Sequence, residues 1–90
     1  MHITTNPASF RSLLGSHRAV VAFFTSATCG PCRMIEPVFE ELAKSKCRAN
    51  GGVGFAKIDL SVGLGGALAS EYQVRVTPTF LFFLDGRKVR

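Results

Sequence analysis

Ninety residues with 47% hydrophobic and 19% charged side chains hold enough apolar material for one core and too little for two, so a single folded domain over residues 1–90 is expected. Eleven Lys and Arg against six Asp and Glu leave a net charge of +5, but the basic residues are scattered from Arg11 to Arg90 with no block longer than Arg87-Lys88. That pattern is a solvated surface, and no nucleic-acid partner is expected. No apolar run is long enough to cross a bilayer, and Met1-His2-Ile3-Thr4 lacks a basic stretch followed by an apolar one, so the expectation is a cytoplasmic protein without a membrane partner.

Ile3-Thr4-Thr5 is a short β-prone start, and Asn6 before Pro7 supplies a helix cap followed by proline in the first turn. Phe10, Leu13 and Leu14 then share one face of a short helix that Gly15-Ser16 ends. The continuous apolar run Ala19–Phe24 reads as a central strand covered on both faces. From Cys32 onward Met34, Ile35, Val38, Phe39, Leu42 and Ala43 form an apolar stripe. Arg33, Glu36, Glu40 and Glu41 fall opposite, which predicts a long amphipathic helix kinked near Pro37.

Asn50-Gly51-Gly52 signals a turn, and Val53–Leu60 the next strand. Gly63-Leu64-Gly65-Gly66 leads into a short helix over Ala67–Tyr72, closed as Val74 and Val76 restore β propensity. Thr79–Leu84 is a further buried-type strand ending in a turn at Asp85-Gly86. Strands alternating with helices imply an α/β sheet with helices on both faces.

Chemistry concentrates at Cys29-Gly30-Pro31-Cys32. Two cysteines separated by two residues at the start of a helix can close a disulfide with little strain. Cys29, just ahead of the helix, is expected to be exposed and to feel the positive end of the helix dipole, which favours thiolate and makes it the attacking nucleophile. Cys32, one turn inside and flanked by Met34 and Ile35, is expected to be buried and to resolve the mixed disulfide. Gly30 lets a substrate backbone approach, and Pro31 lacks an N–H that would have no partner in the first turn. A zinc site would need two more ligands, and only Cys47 and the isolated His2 and His17, both assigned to the surface, remain; no metal is expected. Cys47 lies among Lys44, Lys46 and Arg48, which could lower its pKa, but it reads as an incidental surface cysteine. Tyr72 and the phenylalanines other than Phe23 read as core. In Val76-Thr77-Pro78-Thr79 a proline opens a strand, and on general frequency its peptide bond would be trans.

With Cys-Gly-Pro-Cys between an apolar strand and a proline-bearing helix, a Lys57-Ile58-Asp59 strand, and Thr77-Pro78-Thr79 opening a Phe-rich strand, the chain resembles the thioredoxin family over nearly all its length. The resemblance implies a thioredoxin fold, a central mixed sheet flanked by helices. It also implies a Thr77-Pro78 bond that is cis and faces the disulfide, with Thr77 offering backbone groups to an extended substrate. The implied activity is reduction of protein disulfides by the Cys29/Cys32 dithiol, with no cofactor beyond that disulfide and with a thioredoxin-reductase-type electron donor. Pro37 matches the family's helix-kinking proline, and Lys57 a charged position beneath the cysteines.

Three departures qualify the likeness. Thr28 stands where the family usually has tryptophan before the first cysteine, which removes part of an apolar substrate surface. Phe23 stands where typical members have a buried aspartate that assists proton transfer to the resolving cysteine, so release by Cys32 is expected to slow by about 10²-fold. Finally, members continue past Asp85-Gly86 with a closing strand and a helix, roughly 15 to 20 residues on average element lengths. With only Lys88-Val89-Arg90 left here, the last strand and helix are expected to be largely missing from this piece of a longer chain. Thr79–Leu84 would then be a sheet edge that pairs with a second copy or a partner. The competing reading is a redox-weak binding or dimerisation module, which the shortened C-terminus and the losses at positions 23 and 28 would suit; the intact cysteine pair favours the enzyme.

Overall fold

The apolar run at Ala19–Thr25 forms the strand around which the sheet is built. A computed structural model describes residues 2–4, 7–46, 53–61 and 65–89. Its elements are β1 (His2–Thr4), α1 (Pro7–Ser16), β2 (Ala19–Thr25), α2 (Gly30–Lys46), β3 (Val53–Asp59), α3 (Gly65–Glu71), β4 (Thr79–Leu84) and β5 (Arg87–Lys88). The Asn6 cap, Cys47, the Asn50–Gly52 turn and Arg90 lie outside the described residues.

The strand order is β1-β3-β2-β4-β5, with β3 parallel to β1 and to β2, and β4 antiparallel to β2 and to β5. β2 therefore has strands on both sides. Alternate side chains send Val20, Ala22 and Phe24 into a core with Phe10 and Leu13 of α1 and Leu68 and Ala69 of α3. Phe23 points the other way, to Cys32, Phe39 and Ala43 of α2. Helices thus cover both faces, α1 and α3 on one and α2 on the other. On the α1 side Phe10, Tyr72 and Phe83 meet edge to face, with Phe10 and Phe83 centroids 5.3 Å apart. Burial pushes the Tyr72 phenol up, reinforced by Glu71 and opposed by Arg11.

Several expectations change. The stripe on α2 is narrower than the apolar pattern suggests: Ile35, Phe39 and Ala43 pack on the sheet, whereas Met34, Val38 and Leu42 are exposed. The two rows are one position apart, about 100° around a helix, and a single sheet face covers only one of them. Phe82 is also exposed, being on the sheet face that α2 leaves open beyond Phe80. His17 is half-buried: its ring packs against Gly54, and its Nδ1 lies 3.3 Å from the Leu13 carbonyl oxygen. Nor is β4 the sheet edge along its whole length. Asp85 and Gly86 both take positive φ, 52° and 81°, the two-residue turn whose twist returns the chain antiparallel. Arg87 and Lys88 consequently pair with Leu84 and Phe83, and the Val89 N–H donates to the Phe82 carbonyl at 2.8 Å.

α3 begins two residues before the predicted start, and its ends explain its placement. A Cβ on Gly65 would run into the Asp59 carbonyl oxygen and stand 2.9 Å from the Asp59 carbonyl carbon, so only glycine lets this helix start against the end of β3. At the other end Val74 N–H donates to Ala69 O at 2.8 Å and Gln73 N–H to Ser70 O at 3.1 Å, with Gln73 at φ 58°. This is a Schellman cap with a non-glycine residue in its left-handed position. Two opposite outcomes are expected in urea unfolding. Gly65→Ala lowers stability by about 1–3 kcal/mol through the backbone clash. Gln73→Gly raises it by about 0.5–1 kcal/mol by relieving the left-handed strain. An unchanged midpoint for Gly65→Ala would mean that α3 does not start against β3.

Candidate active site

The site is assembled where β2 ends. Thr25 is buried, and the turn after it is braced from the β3 side: Leu60 N–H donates to Thr25 O at 2.9 Å, and Ala27 N–H to Ser61 Oγ at 3.2 Å. Ser61 is fixed in turn by its own N–H to Asp59 Oδ1 at 2.8 Å. Arg33 reaches back from α2 to the Ala27 carbonyl at 3.3 Å. Cys29 N–H closes the turn on Ser26 O at 3.2 Å, and α2 starts at the next residue.

Cys29 is therefore the residue that caps α2, and Cys29 and Cys32 are joined in a disulfide with Cα atoms 5.3 Å apart. The Cys32 N–H, one of the unpaired donors of the first helical turn, points at Cys29 Sγ at 3.2 Å. A sulfur so placed receives both a hydrogen bond and the positive end of the helix dipole, each of which favours its thiolate. Exposure differs from expectation at one position. Cys32 is buried, 1% exposed, as its place inside the helix predicts; Cys29, expected to be open, is only 7% exposed. Its sulfur turns inward to meet Cys32 and that N–H, while Thr28, Gly30 and Pro31 form the exposed rim above it.

The second loop arrives by strand register. Phe24 of β2 sits opposite Thr79 of β4, so the chain entering β4 lies beside the turn leaving β2. There the Thr77-Pro78 peptide is cis, as the family resemblance implies and general frequency does not. Ser26 Oγ and Thr77 Oγ1 are 3.4 Å apart, and Thr79 Oγ1 donates to Val76 O at 2.5 Å. Thr77 and Pro78 are half-buried beside the disulfide turn, while Val76 is 70% exposed. Sequence reading did not single out Ser26 or Val76. A serine at a strand end carries no distinguishing pattern, and an exposed valine next to a strand looks like core until its direction is known.

Beneath the disulfide is an aromatic layer. Phe23, wholly buried, stacks on Phe80 at 4.9 Å between centroids and tilts against Phe39 at 5.0 Å, with Phe39 edge-on to Phe55 at 5.6 Å. Lys57 pairs with Phe23 across the β2–β3 ladder and shares its face of the sheet. Its ammonium bonds the Glu36 carboxylate of α2 and lies 3.6 Å from Glu40. The two glutamates that the helical pattern assigns to solvent thus form the ionised border of the α2–sheet interface. Among the described residues no group of His, Cys, Asp and Glu is arranged to hold a metal ion.

The chain matches the thioredoxin family over residues 1–90. A thioredoxin of Mycoplasmoides gallisepticum is 40% identical over 86 residues, covering 96% of this chain and 79% of that protein. The bifunctional thioredoxin reductase/thioredoxin of Mycobacterium leprae is 34% identical over 86 residues, 96% of this chain and 18% of the larger protein. Among solved structures, Fasciola hepatica thioredoxin superposes with a TM-score of 0.85 at 35% identity over the whole of this chain and 83% of its own. Likeness of this extent, joined to a formed Cys29–Cys32 pair, does not favour a module kept for binding alone. The chain belongs to the thioredoxin family and is a thiol–disulfide oxidoreductase that carries a Cys29–Cys32 disulfide.

Proposed function

We propose that the protein works in the reducing direction, passing two electrons from the Cys29/Cys32 dithiol to disulfides of other proteins. The exchange chemistry rests on the Cys32 N–H aimed at Cys29 Sγ at the N-terminus of α2, and the reducing direction on Cys29-Gly30-Pro31-Cys32, the pattern of the reducing members of the family. In the reduced protein that geometry stabilises the Cys29 thiolate, which attacks one sulfur of the substrate disulfide and expels the other as a thiolate. Cys32 then loses its proton and attacks Cys29 Sγ, closing the intramolecular disulfide and releasing the second substrate thiol. Thr28, Thr77 and Pro78 flank the pair as the surface for an extended substrate segment, with Thr77 offering backbone hydrogen bonds, and the exposed Gly30 leaves room for close approach. Exposed Met34 and Val76 supply apolar contact in place of the missing tryptophan.

A thioredoxin-reductase-type donor restores the dithiol in this reading, a pairing supported by the reductase fused to the Mycobacterium leprae relative. A cytoplasmic setting goes with it, since thiols are kept reduced there. Release by Cys32 draws no help from its neighbouring strand, because at position 23 of β2, against the buried Cys32, there is a phenylalanine ring and no proton acceptor.

The test is single-turnover reduction of a disulfide-bonded peptide, quenched by alkylation and read by mass. Wild type should accumulate a mixed disulfide on Cys29 before releasing product. Cys32→Ser should stop at that adduct, and Cys29→Ser should form none on the productive timescale. A pair that exchanges no faster than a free small thiol would remove the enzyme reading. Self-association belongs to the same proposal, through exposed Phe82, Leu84 and Val89 around the β4–β5 hairpin. Light scattering is expected to show a concentration-dependent dimer that Phe82→Lys dissociates. A monomer at high concentration would remove the dimer and leave the redox reading intact.

A further inference from the structure

We propose that Glu36, held in place by Lys57, is the proton acceptor for Cys32 in the release step. The inference rests on Cys32 being the resolving thiol. Cys32 must shed a proton at a buried site, where an apolar environment disfavours its thiolate. The elements packed around it offer few acceptors. β2 presents Phe23 and β4 presents Phe80, both aromatic. β3 presents Phe55, Lys57 and, two residues farther along the same face, Asp59, whose Oδ1 already accepts the Ser61 N–H. On α2 the charged groups nearest Cys32 are Arg33, drawn back to the Ala27 carbonyl, then Glu36 and Glu40, while Glu41 and Lys44 are exposed.

Of these, Glu36 has the placement the step requires. It stands four residues after Cys32 in α2, so the two Cβ atoms lie on one face about 5–6 Å apart. Helical side chains lean toward the N-terminus, the end of α2 that carries Cys32. That separation is spanned by the side chain or by one water. Lys57 bonds Oε2 of this carboxylate, while Oε1 accepts no bond from a described residue. Both partners are largely shielded, with side chains 19% and 27% exposed for Lys57 and Glu36, so the pair holds one geometry at the border of the cysteine cluster. Glu40, 42% exposed and a further turn away, shares Lys57 but lies farther from the sulfurs.

The step balances as follows. The Cys32 thiol gives its proton to the Glu36 carboxylate. The resulting thiolate attacks Cys29 Sγ of the mixed disulfide, and the Cys29–Cys32 bond forms as the Cys29–substrate bond breaks. The leaving substrate sulfur takes the electron pair and then a proton, which returns Glu36 to its carboxylate. Lys57 is a positioning residue, acting through Glu36.

The experiment reads attack and release separately in the full chain, using the same disulfide peptide, between about pH 9 and pH 6. Glu36→Gln is expected to leave attack by Cys29 unchanged and to slow release at neutral pH by about 10²-fold, the lower end of what loss of a general base costs. Its release rate should then fall about tenfold per pH unit below the pKa of the Cys32 thiol itself, whereas wild type holds its rate to lower pH. Lys57→Gln should slow release less and alter the same limb of the profile. Glu41→Gln, an exposed change on the same helix, should match wild type at every pH. Unchanged release and profile in Glu36→Gln overturn the assignment, as does a loss confined to Asp59→Asn. If Cys32→Ser accumulates no mixed disulfide, the role of Cys32 falls and the inference with it; if it accumulates one while Glu36→Gln behaves as wild type, only the inference falls.

Discussion

One donor and one acceptor, the N–H of Cys32 and the sulfur of Cys29, connect the fold to the chemistry. The first turn of any helix has N–H groups without helical partners, and a side chain at the capping position normally satisfies one of them through oxygen. Here sulfur takes that place, so the group that caps α2 is also the one whose thiolate the helix end stabilises. The same contact that starts the helix lowers the cost of the thiolate. The surrounding contacts fix where α2 starts: a central β2 with partners on both sides, a turn tied through Ala27 to Ser61 and Arg33, and a Ser26 hydroxyl beside Thr77.

How much of this is legible in the sequence depends on whether the determining contact is local. The cysteine pair is local: spacing and position before a helix are enough to predict both the bond and the deeper burial of Cys32. β2 and β4 are nearly as plain, because an apolar run of β-branched and aromatic residues has few other destinations. The faces of α2 are not legible, since Met34, Val38 and Leu42 repeat as regularly as the row beside them and only the sheet decides which row is buried. The left-handed cap at Gln73 and the tight approach of Gly65 to Asp59 are likewise invisible, one because glutamine does not announce positive φ and the other because its partner comes from a different element. The cis bond at Thr77-Pro78 is legible only through family resemblance; local frequency points to trans.

Phe23 shows how stability and reactivity compete for one position. An ionised carboxylate there would enter an apolar layer between two strands, and even with Lys57 opposite it across the ladder its desolvation would cost several kcal/mol. The ring instead stacks on Phe80 and meets Phe39, and aromatic pairs of this kind contribute about 0.5–1.5 kcal/mol each beyond their buried area. The α2 side of the sheet is therefore a continuous aromatic layer that holds the disulfide from below. Thermodynamically this is the easier core to build. Chemically it presents the buried Cys32 with an aromatic ring and no proton acceptor from that strand.

Charge that leaves the interior has to be placed where it costs less, and the border of α2 is such a place. Lys57 sits opposite Phe23 in the ladder, too deep for its ammonium to stay unpaired and close enough to α2 to reach two carboxylates. Partial exposure keeps the desolvation cost of the ions low, while shielding by the helix keeps their geometry fixed. A proton acceptor on that border has access to water on one side and to the thiol cluster on the other. An ionisable group on the helix border leaves the aromatic layer intact and gives the proton a route to water. The aromatic core is then compatible with turnover, provided the helix one turn beyond Cys32 carries an acid.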